Sequence, residues 1–473
     1  MQWLSAMSVL QRSHALFIVS AVVLILVAGS RWLRRPIPET HKRGALVRDG
    51  SVRRGVLDVV RSGHDDRLTL AGVGIPRLDE TKHFKMIGTT GTGKSTAIRE
   101  LLACALARGD RAIFADPDGG YRERFFHRYR GDVVLNPFEQ DSVQWDPFAE
   151  ITSAYDVEEL AAGLIPGCED ASSNEWRAYA RTFLSAVLRR CRFSERRRSC
   201  GELWRLLAIA PADELRPIVA DTPAQSFLDA DNARMFGSIR SVAMSAIAAL
   251  EYVQSQRSAP FSVREWVRVP DAHGVLFIPY KAGQIAALRS MIATWMRIAI
   301  FEAMNSQEDR DQRLWFVIDE LDALGAIEGL KDALARLRKF GGRCVLGFQS
   351  IAQVSGTYGA AGAQTLVENC GNSLILRCSG SENGGTSQFA SKLIGDREVI
   401  RRQTSRGSDR DAGFSFRGAR RSRNVSEQHV TEAAVMASQI EQLPDLCGYL
   451  KLASAPAWLK VAVGNRADHR RVH

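Results

Sequence analysis

Between an extended apolar run, His83-Phe-Lys-Met-Ile87, and a helical one, Thr96 to Ala107, the chain reads Gly88-Thr-Thr-Gly-Thr-Gly-Lys-Ser95. No other stretch constrains the fold as tightly. Strand, glycine-rich turn and helix in that order make a phosphate-binding loop of the Walker A kind. Gly88, Gly91 and Gly93 let the backbone approach phosphate oxygens and turn successive N–H groups toward them. The helix N-terminus adds partial positive charge. Gly88, Thr89, Thr90, Gly91, Thr92, Gly93, Lys94, Ser95 and Thr96 are therefore the expected nucleotide cradle. Within it Lys94 reaches the β/γ-phosphates and the Ser95 hydroxyl ligates Mg²⁺. The bland alternative is a glycine turn ahead of an ordinary helix cap. All four fixed positions and both flanks speak against it.

Such a loop needs an acidic partner on a neighbouring strand. Leu314-Trp-Phe-Val-Ile318 is an unbroken apolar run, the pattern of a strand buried on both faces of a parallel sheet, and it ends in Asp319-Glu320. Asp319 is expected to hold Mg²⁺ through water, and Glu320 to orient or deprotonate the attacking water. Hydrolysis of a nucleoside triphosphate, with ATP and Mg²⁺ as cofactors, is what the two motifs imply. A further strand, Arg343 to Phe348, ends in Gln349, which is either a γ-phosphate sensor or a plain polar strand end. The next, Ser373 to Arg377, ends in an arginine. Arg377, or alternatively Arg338, is the candidate to supply charge to a neighbouring subunit's nucleotide.

The 473-residue chain has ordinary globular composition and a net charge of +10, which favours an anionic partner, nucleic acid or a membrane surface. Its eight cysteines form no CxxC pair and no metal-ligand spacing with histidine, as expected of reduced thiols in a cytosolic body. Ser13 to Ser30 carries no acid, lysine or arginine. As a helix it spans roughly 27 Å, near the ~30 Å hydrocarbon core. Arg31, Arg34, Arg35, Lys42 and Arg43 crowd its C-terminal flank, so the body is expected in the cytoplasm, with residues 1–35 as a membrane anchor. A cleaved signal peptide ending near Ala28 is the other reading.

Strand runs at Arg111–Ala115 and Asp132–Leu135 extend the Walker strand into a parallel α/β sheet. From Asp156 to about Leu250 the pattern is helical, including one run from Met235 through Tyr252, before strands resume at Gly274. The expected organisation is an α/β nucleotide-binding domain over residues 36–152 and 266–473, with an all-α insertion over 153–265. Two arginine-rich stretches stand out. Arg189 to Arg198 is either a solvated face or a DNA contact, with Arg196, Arg197 and Arg198 the candidate DNA-binding residues. Arg397 to Arg423 reads as a basic loop or hairpin.

Read together, the Walker loop with Arg99-Glu-Leu-Leu, Asp116-Pro-Asp-Gly119, Val134-Leu-Asn-Pro-Phe138 and Trp145-Asp-Pro-Phe148 resembles the coupling proteins of type IV secretion and bacterial conjugation, of the TraD type. Phe316-Val-Ile-Asp-Glu-Leu321, Leu337-Arg-Lys-Phe-Gly341, Val345-Leu-Gly-Phe-Gln-Ser350 and Leu443-Pro-Asp445 continue it, over nearly the whole chain from Lys82. The resemblance implies an inner-membrane ATPase with a RecA-like P-loop core and an inserted all-α domain. It further implies a homo-hexameric ring that passes relaxase-bound single-stranded DNA of a relaxosome to the secretion channel proteins. Two departures are expected to matter: one apolar span where the family usually has two, and no acidic tail before His473. An FtsK-like chromosomal DNA pump is a second reading. A nucleotide-gated docking receptor for protein substrates is a third, and stimulation of ATPase by single-stranded DNA separates it from a motor.

Overall fold

The structure, a computed structural model, describes residues 40–50, 67–168, 170–194, 197–269, 273–305, 313–381, 384–408 and 421–464. The expected anchor and Arg196 lie outside them. Among the described residues no helix is long and apolar enough to cross a membrane.

A ten-stranded sheet carries the nucleotide motifs. Its strands, in chain order, are β1 (Val47–Asp49), β2 (Phe84–Ile87), β3 (Arg111–Pro117), β4 (Val133–Val134), β5 (Val275–Tyr280), β6 (Leu314–Ile318), β7 (Gly342–Phe348), β8 (Asn372–Ile375), β9 (Cys447–Lys451) and β10 (Trp458–Ala462). Across the sheet they run β1-β10-β9-β8-β2-β7-β6-β3-β5-β4. From β8 to β4 every pairing is parallel, and β9 runs against both its neighbours. Central strands buried on both faces demand continuous apolar runs, and all five residues of β6 and all four of β2 are buried. Lys85 in β2 is tolerated because its ammonium donates to Val367 O at 2.9 Å and to Cys370 O. Helix α1 (Lys94–Ala107) covers the sheet with Ala97, Ile98, Leu101, Leu102 and Ala105, each fully buried. Every such leucine or isoleucine contributes about 1.5–3 kcal/mol.

After the short α2 (Gly120–Phe125) the chain turns helical: α3 (Tyr155–Leu164), α4 (Ala171–Arg192), α5 (Cys200–Ala208), α6 (Ala212–Val219), α7 (Ala233–Ile247), α8 (Leu250–Ser255) and α9 (Val263–Arg268). Asp170 caps α4 by accepting from Ser173 N at 2.7 Å, and Ser199 caps α5 through Glu202 N. The expected single helix from Met235 through Tyr252 is two. At Glu251 and Tyr252 the backbone bonds tighten to i→i−3, which rotates the second segment. Met244 is 40% exposed while Ile247, Leu250 and Val253 bury. Further along come α10 (Ile285–Ala303), α11 (Leu330–Leu337), α12 (Ile351–Asn369), α13 (Gly385–Ile394) and the short α14 (Ala437–Glu441). Helix α11 ends at Leu337, since Arg338–Phe340 is 3₁₀ and Gly342 already belongs to β7. Buried Arg264 of α9 ties this part together, meeting Asp156 at 3.1 Å, Glu159 at 3.2 Å and Glu302 at 2.6 Å.

Among the described residues, 40–45 and those of 395–434 make a separate compact unit. In it Asp396–Ser408 pairs antiparallel with Arg421–Ala433, and Thr40–Gly44 adds a third strand. The basic stretch is thus a hairpin rather than a loop. Glu398 accepts from Lys42 and Arg43, and these hydrogen bonds pull its carboxyl down to about 2.

Candidate functional site

Sheet order decides which side chains meet. Strand β7 lies between β2, which feeds the glycine loop, and β6, which ends in Asp319-Glu320. All three run parallel, so the loop, Gln349 and the two acids emerge side by side at their carboxyl ends. Gln349 spans the gap. Its Oε1 accepts from Thr90 Oγ1 at 2.8 Å, and its Nε2 donates to Glu320 Oε1 at 3.1 Å.

The loop is held from three sides. Thr89 N donates to Arg377 O at 2.9 Å, Thr92 Oγ1 to Thr89 O at 2.7 Å, and Leu446 N to Thr92 O at 3.0 Å. Gly93 has φ 111°, and a Cβ there would lie 2.7 Å from Leu446 Cδ2. Only glycine satisfies both conditions. The Lys94 ammonium is buried and donates to Gly88 O at 2.6 Å and Thr89 O at 3.2 Å. Burial lowers its pKa, and the charges of Asp319 and Glu320 oppose that. Thr96 is half-buried at the start of α1. Leu446 carried no signal in the sequence, because its role comes from a backbone approach across 350 residues of chain.

Asp319 is 3% exposed. Its Oδ2 accepts from Ser95 Oγ at 2.6 Å and from Tyr121 OH at 2.7 Å. Its Oδ1 is buried and meets no hydrogen-bonding partner among the described residues; the same holds for Asp322 Oδ1 and Tyr280 OH. Such orphaned oxygens are costly unless something else satisfies them. A hydroxyl beside a free carboxylate oxygen is the donor set of a small hard cation, so these residues fit Mg²⁺. Among the described residues no three His, Cys, Asp or Glu form a metal cluster. That agrees with an ion held by one or two protein oxygens plus phosphates rather than by a protein cage.

The surrounding acids are electrostatically stressed. Asp116, at the end of β3, is fully buried, and burial pushes its carboxyl up to about 6 although Tyr121 N and Arg122 N donate to it. Glu320 is raised by burial and then by the charges of Asp319 and Asp322. A carboxylate whose pKa is raised is a better base than a free one. Tyr280 also lines a cavity of about 480 Å³ with Asp118, Gly119, Arg122, Lys281 and Gln284.

The remaining predicted residues stand apart. Arg377 lies two residues past β8, with its guanidinium on Asp445 at 2.5 Å and on Leu443 O at 3.3 Å. Arg338 leads into β7 from the opposite, amino-terminal end of the strands. In the basic cluster Arg189 pairs with Glu158 at 2.7 Å and half-exposed Arg198 approaches Asp146 at 4.0 Å. Arg192 lies 5.5 Å from the centroid of Phe193, whose ring is 83% exposed.

The family described as type IV secretion-system coupling protein DNA-binding domain matches residues 67–463. The chain is 30% identical over 402 residues to the coupling protein TraD of Escherichia coli strain K12, covering 83% of this chain and 54% of that protein. It therefore spans about half the length of that relative. Among solved structures it is similar to the bacterial conjugative coupling protein TrwBdeltaN70 in an unbound form, at 30% identity and TM-score 0.77, covering 91% of this chain and 95% of that one. A structure of TrwB in complex with ADP and Mg²⁺ matches at 30% identity and TM-score 0.76 with the same coverage.

Proposed function

The chain belongs to the type IV secretion-system coupling proteins, and from that premise we propose that it is an ATPase coupling hydrolysis to the delivery of relaxase-bound single-stranded DNA into a secretion channel. The observation that carries the reading is the meeting of Ser95 with Asp319 at 2.6 Å, beside a buried oxygen with no partner among the described residues. ATP is the substrate, lying with its phosphates along Gly88 to Thr96. Lys94 leaves Gly88 O and Thr89 O for the β/γ-phosphates, where its charge opposes the charge building in the transition state. Ser95 and, through water, Asp319 would hold Mg²⁺. When bound, that ion neutralises phosphate charge.

Glu320 takes the proton of the attacking water, and Gln349 keeps Glu320 in register with Thr90 of the loop. Arg377, with Arg338 as alternative, supplies charge to the nucleotide of an adjoining subunit in a hexameric ring. Mixing Arg377→Ala with Lys94→Ala subunits tests this, since recovered hydrolysis needs one subunit to complete another's site. Residues 36–152 and 266–473 hold the motor domain, apart from the separate unit at 40–45 and 395–434, and 153–265 is its inserted all-α domain. The apolar stretch near the N-terminus anchors the body to the cytoplasmic face of the inner membrane. Arg196, Arg197 and Arg198 contact DNA phosphates.

ATP turnover of the detergent-solubilised protein, with and without single-stranded DNA, tests the function. Stimulation several-fold is expected. Turnover indifferent to DNA in the presence of a relaxase would favour a docking receptor instead.

A further inference from the structure

The turn Asp116-Pro-Asp-Gly-Gly-Tyr121 is built around one hydroxyl. Asp116 draws the chain back by accepting from Tyr121 N at 3.0 Å and Arg122 N at 2.7 Å. Two consecutive left-handed residues, Asp118 at φ 58° and Gly119 at φ 72°, make the reversal. For aspartate that conformation costs energy, so the turn is held by its surroundings. A Cβ at Gly120 would lie 2.7 Å from Arg99 Nη2, so a larger residue there would displace that guanidinium.

These contacts fix the Tyr121 ring. It stacks on Phe114 of β3 with centroids 5.1 Å apart, and the guanidinium of Arg99, from the Walker helix α1, lies 5.6 Å from its centroid. Its hydroxyl, on a residue 2% exposed, donates to Asp319 Oδ2 at 2.7 Å. Ser95 donates to that same oxygen, so Oδ2 is occupied twice while Oδ1 meets no partner among the described residues. A carboxylate with one oxygen pinned by two donors cannot rotate freely about its last side-chain bond.

We propose that Tyr121 is a positioning residue for the metal site. Its hydroxyl holds the Asp319 carboxylate so that Oδ1 and the lone pairs of Ser95 Oγ face the Mg²⁺ of the bound nucleotide. This rests on the Walker reading above and adds a residue that neither motif contains. Helix α1, through Arg99, and strand β3, through Phe114, both bear on the ring that carries that hydroxyl. Outer groups that orient a metal ligand typically matter by about 10- to 100-fold in metal affinity. The competing account is a core tyrosine whose hydroxyl takes the acceptor at hand.

Tyr121→Phe separates the two, because it keeps the ring and removes one oxygen. In the full-length solubilised protein, binding of a fluorescent ADP analogue is measured in EDTA and across a Mg²⁺ series, with thermal unfolding alongside. A positioning role predicts unchanged affinity in EDTA, unchanged unfolding, and a half-saturating Mg²⁺ concentration raised about 10-fold. An unchanged Mg²⁺ requirement overturns the proposal, as does a variant that loses EDTA affinity and melts early while keeping that requirement. If Mg²⁺ leaves wild-type binding unaffected, the Walker reading itself fails, and the proposal falls with it.

Discussion

Thr90 Oγ1 donates to Gln349 Oε1 at 2.8 Å, which links the tip of the glycine loop to a residue 259 positions later. The other end of that amide holds Glu320. One uncharged side chain thereby joins the glycine loop to Glu320.

Gln349→Ala cuts this link and leaves every phosphate-binding amide in place. ADP affinity is expected to stay within about twofold while turnover falls about 10²-fold, the scale of a misplaced catalytic group. Equilibrium binding beside steady-state hydrolysis checks it. An equal loss in both would make Gln349 part of the binding loop.

Lys94→Ala and Glu320→Gln separate binding from chemistry. The first removes the ammonium held by Gly88 O and Thr89 O and is expected to lose both affinity and turnover. The second keeps shape and loses the base, so binding persists and turnover falls by about 10² to 10⁴. Because burial raises the Glu320 carboxyl, the acid limb of the wild-type rate should lie above pH 4.5. Glu320→Gln should abolish that limb, as a pH–rate series will tell.

Gly93 is squeezed twice, by φ 111° and by Leu446. Gly93→Ala is expected to abolish nucleotide binding, with strain of about 1–3 kcal/mol in the loop. Adding Leu446→Ala returns the space but not the dihedral, so the double variant should recover only part of the affinity. Full recovery in a binding titration would mean that only the clash mattered.

Asp116 carries a pH signature in stability. Its folded pKa of about 6 lies above the ordinary 3.8, so the buried charge destabilises the fold above pH 6. That cost, about 3 kcal/mol at most, fades as pH falls from about 6 toward 3.8. Asp116→Asn has no charge to bury. Its stability relative to wild type should be most favourable near pH 8 and decline toward pH 4, in urea unfolding at each pH. A constant difference would place the carboxyl near its ordinary range.

How much of this was legible in the sequence follows from how each contact is made. The glycine loop and the Asp319-Glu320 strand end are local patterns whose spacing states their chemistry, and the structure brings them to one edge. Tyr121, Leu446 and the pairing of Arg377 with Asp445 are not local. Each depends on sheet order, which the alternation of strands and helices leaves open. The helix expected from Met235 through Tyr252 breaks because spacing of apolar residues tolerates one tightened turn. Similarly, charge alone marked Arg189 to Arg198, but not that Glu158 and Asp146 would lie against two of these arginines.

DNA binding is expected to be electrostatic and indifferent to sequence. A motor that follows any strand needs phosphate contacts it can make and release. Each neutralised phosphate on a single strand releases counterions, so log affinity should fall with log salt by roughly 0.7 per contact. Arg198 is half-exposed and only 4.0 Å from Asp146, a weak pairing in water that a phosphate can displace. Replacing Arg196, Arg197 and Arg198 together by glutamine should weaken binding of two unrelated single-stranded oligonucleotides alike and flatten both salt slopes by up to about 2. Phe193→Ala should instead lower affinity at every salt concentration without changing the slope, since an exposed ring beside Arg192 can stack a base. Salt titrations of wild type and both variants decide it. A strong preference for one oligonucleotide sinks the sequence-blind model, and unchanged slopes in the triple variant would return this cluster to the role of a solvated face.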